Sequence, residues 1–380
     1  MSQVVKEQNC SVNFLRFLFT FGICFMHLVC QVISPYIAYP LNYGNFAAPS
    51  YAVELFFIMA GFFLYFNRKS LEEYISSRII RLWPLLFFST IVAGLLRTFH
   101  ISGQSLSFDD ILNCLFLQGT GLMQGGAANG PAWFVGVLFW VSVIYFYFKR
   151  TLNSKLFITL MTVMVVIGLV IFGTTGKANP FENVRSFIIP AWGGGGLSMM
   201  MLRGFTAMGI GCLLGKAQEL FTKSKAVEVI KSSLKAKNIF TVLEVLFFCG
   251  LCAVLLGGSL MNIYSSYLIA MGLFLIVFFL FFNNLGYFSS NVLNRKIFNI
   301  LGACSYAIYM MQNVVFFIID YCLRTHENLI PHTNWVITVS MILFIAVGII
   351  SYYLVDFITR KLVQLYKLVE KGNILKETTL

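Results

Sequence analysis

The chain has 380 residues, of which 58% are hydrophobic and only 11% are charged. A soluble domain carries about one quarter charged residues, so this composition and a mean hydropathy of +0.81 exclude a soluble globular protein. The nine cysteines lack the paired spacing of a zinc site or a disulfide framework. A formal charge of +12, spread through the loops, favours membrane lipids over nucleic acid as partners. We expect an all-α polytopic membrane protein without a metal site.

Apolar runs of about 17 residues or more are long enough to cross a bilayer core about 30 Å thick. The sequence contains ten such runs, so we predict a bundle of about ten transmembrane helices. The runs cover residues 12–34, 51–67, 79–97, 132–148, 155–173, 200–217, 238–257, 263–282, 299–320 and 334–355.

Lysine and arginine are concentrated in alternate connections between these runs and in the tail. Positive residues mark cytoplasmic loops, so we expect both termini in the cytoplasm of a multi-pass cell-membrane protein, with a bacterial plasma membrane as the expected location. Residues 1–355 would form the membrane domain, and residues 356–380 a basic cytoplasmic tail. Residues 98–131 and 174–199 are long non-cytoplasmic connections that act either as lids over a cavity or as plain linkers.

The first predicted helix carries two ionisable side chains, Arg16 and His27. They are eleven positions apart, so at about 100° per residue they leave the same face, separated by about 16 Å along the axis. An ionisable residue inside a membrane usually faces the protein interior or a watery cavity. The alternatives are that Arg16 reaches back to the lipid headgroups and that His27 is merely hydrogen-bonded to a neighbour.

Further polar groups lie at the mouths of the next two predicted helices. Glu54 would either accept an imidazole N–H from His27 or act as a first-turn carboxylate stabilised by the helix dipole, with Ser50 as the cap. Arg78 and Arg81 are three positions apart and share a helix face. They serve either a bound ligand or the anchoring of a cytoplasmic helix end.

Glycines at positions 209, 211 and 215 superficially match a dinucleotide-binding loop. They lie inside an apolar run with no strand before it, so we do not interpret them as a dinucleotide-binding loop. We interpret Gly211 and Gly215 as a helix-packing face.

These blocks together resemble the acyltransferase-3 family, whose integral membrane enzymes modify cell-surface polysaccharides and related molecules. The spacing of Arg16 and His27 is similar to the family's Arg-x10-His signature, and Arg78-x-x-Arg81 followed by Pro84 is similar to its third-helix block. Further similar blocks are Leu55-Phe-Phe with Gly61-Phe62, Trp133-Phe134, Arg203 with Gly209 to Gly215, and Gly302 to Tyr309. Many family members have a histidine where this chain has Gln312.

The resemblance implies transfer of an acyl group, with acetyl expected, from acyl-CoA to a hydroxyl of a cell-surface polysaccharide or lipid-linked sugar. Acetyl-CoA would be a co-substrate rather than a bound cofactor. In that reaction we expect His27 as the general base oriented by Glu54, and phosphate binding by Arg16, Arg78 and Arg81. The residues expected on the substrate side are Trp133, Ser305, Tyr309 and Gln312. Alternative partners for His27 are Ser305, Tyr306, Tyr309 and Gln312.

Two other classes of function remain open. A glycan transporter or flippase would also use ten helices, glycine-interrupted segments and intramembrane charges. The third hypothesis is a relative of the family that has lost catalysis. Gln312, in place of the histidine of many members, would agree with it. Binding and hydrolysis of acyl-CoA would distinguish the enzyme from both.

Overall fold

The helices of the computed structural model follow the apolar runs of the sequence. The structure describes residues 9–36, 51–100, 107–122, 127–174, 198–224, 233–257 and 263–377, together with Val227 and Ile230. Within these residues every regular element is helical. The α-helices are α1 Cys10–His27, α2 Ala52–Phe66, α3 Leu71–His100, α4 Phe108–Cys114, α5 Trp133–Thr151, α6 Ser154–Thr174, α7 Met199–Lys223, α8 Leu234–Gly257, α9 Ile263–Asn283, α10 Lys296–Thr325 and α11 Thr333–Glu377.

Each of the ten predicted runs coincides with one of these helices, and α4 is the additional short one. Among the described residues, eight helices are long and apolar enough to cross a membrane. The helix α2 is apolar but has only 15 residues, and α7 is less apolar because it carries Arg203 and Lys216. The protein is therefore an all-helical, multi-pass membrane protein, while ten crossings and cytoplasmic termini stay predictions.

The first helix ends earlier than the sequence predicts. Regular α-helix stops at His27, the backbone continues as a π-helix over Leu28–Ile33, and a short 3-10 turn covers Ser34–Tyr36. Residues 37–50, including Ser50 as the expected cap of α2, lie outside the described residues. His27 therefore stands at the point where the helix changes its winding.

Several helices are longer than predicted, and α3 and α11 exceed their predicted runs most. The helix α3 begins eight residues early because Ser70 and Glu73 form a capping box, in which the Ser70 hydroxyl accepts from the Glu73 N–H and the Glu73 carboxylate from the Ser70 N–H. The helix α11 continues without a break through residue 355 to Glu377. The predicted tail is thus helical as far as residue 377, and the domain boundary at residue 355 stays a prediction.

The described part of the connection 98–131 is folded onto α3 and hydrogen-bonded to it. Asp110 of α4 is buried and accepts hydrogen bonds from Arg97 Nη2 at 2.9 Å and from the Ala128 N–H at 2.7 Å. At the start of α4, the Ser107 N–H donates to the same carboxylate. This segment is therefore more than a plain linker. Most of the other predicted lid, residues 175–197, lies outside the described residues.

The helix α2 is surrounded by other helices and packs most extensively against α7. Gly211 permits this contact, because a Cβ at that position would overlap the backbone carbonyl of Ile58. Gly215 lies in the same way against the ring of Tyr65. The prediction that Gly211 and Gly215 form a helix-packing face is confirmed.

The periphery of the bundle is formed by helices with exposed apolar faces, principally α6, α8 and α11. Large exposed hydrophobic side chains on these helices include Val166, Val170, Val242, Leu246, Ile342 and Ile350. Such faces suit contact with lipid tails. The helices α1, α2, α3, α5 and α10 contribute residues to the wall of one interior cavity.

Candidate active site

A cavity of about 710 Å³ lies among α1, α2, α3, α5 and α10, with Phe282 of α9 also in its wall. Its wall includes Val53 near the start of α2 and Phe66 at its end. These residues are 13 positions apart, which corresponds to about 20 Å at a rise of 1.5 Å per residue. Exposed Lys69, in the connection from α2 to α3, also lines the cavity. The cavity therefore follows nearly the whole of α2 and reaches solvent at the Lys69 end.

Arg16, Arg78 and Arg81, which we call the cavity arginines, all line this space. The helix positions therefore bring together three guanidinium groups that are up to 65 residues apart in sequence. Within the described residues, none of the three forms an ion pair with a carboxylate. Like charges held around one space without an acidic partner form a site for an anion, and the planar guanidinium suits phosphate.

Neutral side chains orient two of the cavity arginines. Arg16 Nη1 donates to Asn13 Oδ1 at 3.3 Å, and its guanidinium lies 5.3 Å from the centre of the Phe63 ring. The Tyr74 hydroxyl accepts from Arg78 Nε at 3.0 Å and Nη2 at 2.8 Å. These contacts hold the guanidinium groups in place without neutralising their charge.

His27 lies outside the cavity wall and pairs with a glutamine. Its Nδ1 is 3.0 Å from Oε1 of Gln312, a fully buried residue on α10. Tyr309, which lines the cavity, is three positions earlier on the same helix. The His27–Gln312 pair is therefore about 4.5 Å further along α10 than the cavity wall, at a rise of 1.5 Å per residue.

The expected contact between Glu54 and His27 is wrong. Glu54 Oε1 accepts from Arg203 Nε at 2.5 Å, with both side chains buried. The Arg203 guanidinium also lies 5.0 Å from the centre of the Trp133 ring. A buried guanidinium forms a stronger, charge-assisted bond than a neutral imidazole would, which explains why the carboxylate pairs with Arg203. Glu54 is also in the first turn of α2, as the dipole interpretation requires.

Of the four residues expected on the substrate side, two line the cavity. Ser305 and Tyr309 do so, with the Ser305 hydroxyl donating to Leu301 O and the Tyr309 hydroxyl donating to Pro131 O, both at 3.0 Å. Trp133 and Gln312 are not part of its wall, and Phe134 lines it in place of Trp133. Within the described part of the chain, no three His, Cys, Asp or Glu side chains are arranged to hold a metal ion.

Two residues beside Arg16, Asn13 and Asn299, were not predicted from the sequence. Asn13 Nδ2 donates to Asn299 Oδ1 at 2.9 Å, and both asparagines line the cavity. Asn13 precedes Arg16 by three positions, so the helical spacing was a usable signal for it. No local pattern indicated Asn299, or Arg203 as the partner of Glu54, because those contacts join distant segments.

Nearly the whole chain is similar to one known protein family. A family model described as an acyltransferase domain matches residues 10–353. The match runs from the start of α1 into α11, so it covers the cavity, His27 and Gln312. No curated protein and no solved structure matches the chain. Because the family model spans nearly all of it, the chain belongs to the acyltransferase-3 family.

Proposed function

We propose that the protein transfers an acyl group, acetyl in the first instance, from acyl-CoA to a hydroxyl of a cell-surface polysaccharide or lipid-linked sugar. The observation that carries the proposal is the cavity, which is lined by three guanidinium groups without a carboxylate partner among the described residues and by Tyr309, one helical turn from the partner of His27. Family membership supports the reaction class. The cytoplasmic donor and the glycan acceptor are proposals.

The cavity arginines supply the donor site. Coenzyme A carries phosphates, and guanidinium groups bind phosphate through two parallel N–H donors. Asn13 and Tyr74 hold Arg16 and Arg78 by neutral hydrogen bonds, so their charge stays available to the ligand. Apolar side chains such as Phe56, Met59 and Phe63 line the middle of the cavity. That wall would accommodate the uncharged arm that carries the thioester.

His27 acts as the general base. It accepts the proton of the acceptor hydroxyl while the hydroxyl oxygen attacks the thioester carbon. The new C–O bond forms, the C–S bond breaks, and the proton passes from the imidazolium to the departing thiolate. The products are the acyl ester and free coenzyme A, so no oxidant or metal is consumed. Ser305 and Tyr309, both in the cavity wall, are placed to contact the acceptor or the acyl group.

A carrier for the same glycans is the second candidate function. A specific observation favours it, since a cavity that follows α2 for about 20 Å resembles a path through the bundle as much as a donor site. A carrier has no need for coenzyme A, however, so binding and hydrolysis of acetyl-CoA distinguish the two functions.

Purified protein in lipid nanodiscs, incubated with acetyl-CoA labelled in the acetyl group, distinguishes these functions. The enzyme is expected to bind the label saturably, to lose it to unlabelled coenzyme A, and to release labelled acetate slowly when no acceptor is present. A carrier or a non-catalytic relative would release no acetate above the rate in empty nanodiscs. That result would refute the proposed function.

A further inference from the structure

We propose that Gln312 is a positioning residue that fixes His27 in one tautomer, with the proton on Nδ1 and the lone pair on Nε2. The role of Nε2 as the base rests on the proposed function. The tautomer itself is a property of the resting protein and can be measured without any substrate.

The hydrogen bond between the two side chains carries the proposal. Gln312 Oε1 is 3.0 Å from His27 Nδ1. A carbonyl oxygen can only accept a hydrogen bond, so Nδ1 must carry the proton. In a neutral imidazole the other nitrogen, Nε2, is then unprotonated. Glutamine thus selects between two tautomers that free imidazole populates side by side.

Packing around Gln312 restricts the geometry of this contact. Gln312 is fully buried, and the Phe316 ring lies edge-on to the imidazole with 6.5 Å between ring centres. Close packing of this kind leaves few rotamers open. His27 is also the last residue of α1 before the π-helical turn, a type of local distortion that is frequent at functional sites.

The second amide atom of Gln312 supports a role beyond fold stability. Its Nε2 is buried and has no hydrogen-bond partner among the described residues. A buried unsatisfied donor costs stability, and an apolar side chain of similar length would avoid that cost. The Gln312 oxygen that contacts His27 is therefore the atom that accounts for a glutamine at this position.

An uncharged acceptor also suits the reaction. Within the described residues no carboxylate is hydrogen-bonded to His27, since Glu54 is paired with Arg203. When Nε2 takes the proton of the attacking hydroxyl, both ring nitrogens become donors and the Nδ1 bond to Gln312 stays intact. The ring keeps its orientation while that proton moves on to the departing thiolate.

Nitrogen-15 NMR of the purified full-length chain reads the tautomer directly. The chain has four histidines, so the variant His100→Gln, His326→Gln, His332→Gln leaves His27 as the only labelled imidazole. We expect Nδ1 to show the shift of a protonated nitrogen and Nε2 that of a bare one. The reverse pattern, with Nε2 protonated because the amide NH2 faces the ring, would overturn the proposal.

Substitution provides the second test. In Gln312→Met the acceptor is lost at nearly constant side-chain length, so both tautomers are expected in the spectrum and kcat is expected to fall at least about tenfold, with the KM for acetyl-CoA unchanged. Gln312→Glu keeps an oxygen acceptor and is expected to retain the Nδ1–H tautomer. The matched control is Gln218→Met, the same change at a buried glutamine that pairs with Asn283.

The outcomes separate the two proposals. A Gln312→Met protein with the wild-type spectrum, or a Gln312→Glu protein that behaves like Gln312→Met, would overturn the role of Gln312 and leave the acyltransferase proposal standing. Equal loss of kcat in Gln218→Met would likewise reduce the effect to general destabilisation. A chain that never hydrolyses acetyl-CoA but shows the expected tautomer would refute only the proposed function.

Discussion

Replacing Glu54 by glutamine is expected to destabilise the protein by about 3–5 kcal/mol, the usual cost of removing one partner of a buried charge pair. The magnitude follows from burial. The Glu54 side chain is 0% exposed and that of Arg203 is 6% exposed, and their atoms are 2.5 Å apart. The Arg360–Asp356 pair has a similar distance of 2.8 Å, but its side chains are 74% and 35% exposed. A pair of that kind contributes only about 0–1 kcal/mol.

The assay is a double-mutant cycle on unfolding by sodium dodecyl sulfate in mixed micelles. Glu54→Gln and Arg203→Met should each destabilise strongly, while the double variant recovers most of the loss because no buried charge remains. Asp356→Asn is the exposed control. A Glu54→Gln protein as stable as wild type but without turnover would show that Glu54 serves the reaction rather than the fold.

Lysine in place of each cavity arginine is expected to weaken acetyl-CoA binding at least severalfold, because lysine keeps the charge but loses the planar fork; calorimetry checks this, with exposed Arg360→Lys as control. Unchanged affinity in all three variants would favour membrane anchoring. Gly211→Ala should destabilise by about 1–3 kcal/mol through overpacking against α2. A Cβ at Gly22 would have no atom within 4 Å, so Gly22→Ala should not be destabilised. Equal melting temperatures of the Gly211→Ala and Gly22→Ala proteins would contradict overpacking at Gly211. Asp110→Asn should lower the melting temperature by weakening the bond to Arg97, and an unchanged value would contradict the anchoring role of that carboxylate.

The helices could be predicted because their signal is local. A run of apolar residues long enough to cross a bilayer determines its own helix, whatever it packs against. The conformation of the segment between α9 and α10 has no such signal. It is organised by buried Glu244 of α8, which accepts from the N–H groups of Gly286 and Ser289 at 2.9 and 3.0 Å. Only the three-dimensional arrangement brings that carboxylate to a segment more than 40 residues away.

In the candidate site, too, local features could be predicted and contacts between distant segments could not. Helical spacing correctly put Arg78 and Arg81 on one face, and both line the cavity with Arg16. The partner of His27 depends on a contact across 285 positions, so sequence alone could not decide between Glu54 and Gln312. The decisive factor was the buried charge of Arg203, which requires a carboxylate more than the imidazole does.

Whether acetyl-CoA in the cavity reacts at His27 is answered by the variant His27→Ala. Acetyl-CoA affinity and acetate release are measured on the same preparation of this variant. We expect a Kd close to that of wild type, because the cavity arginines are untouched, and a rate about 10²- to 10⁴-fold lower, the usual loss for a general base. Acetate release at the wild-type rate would remove His27 from the reaction.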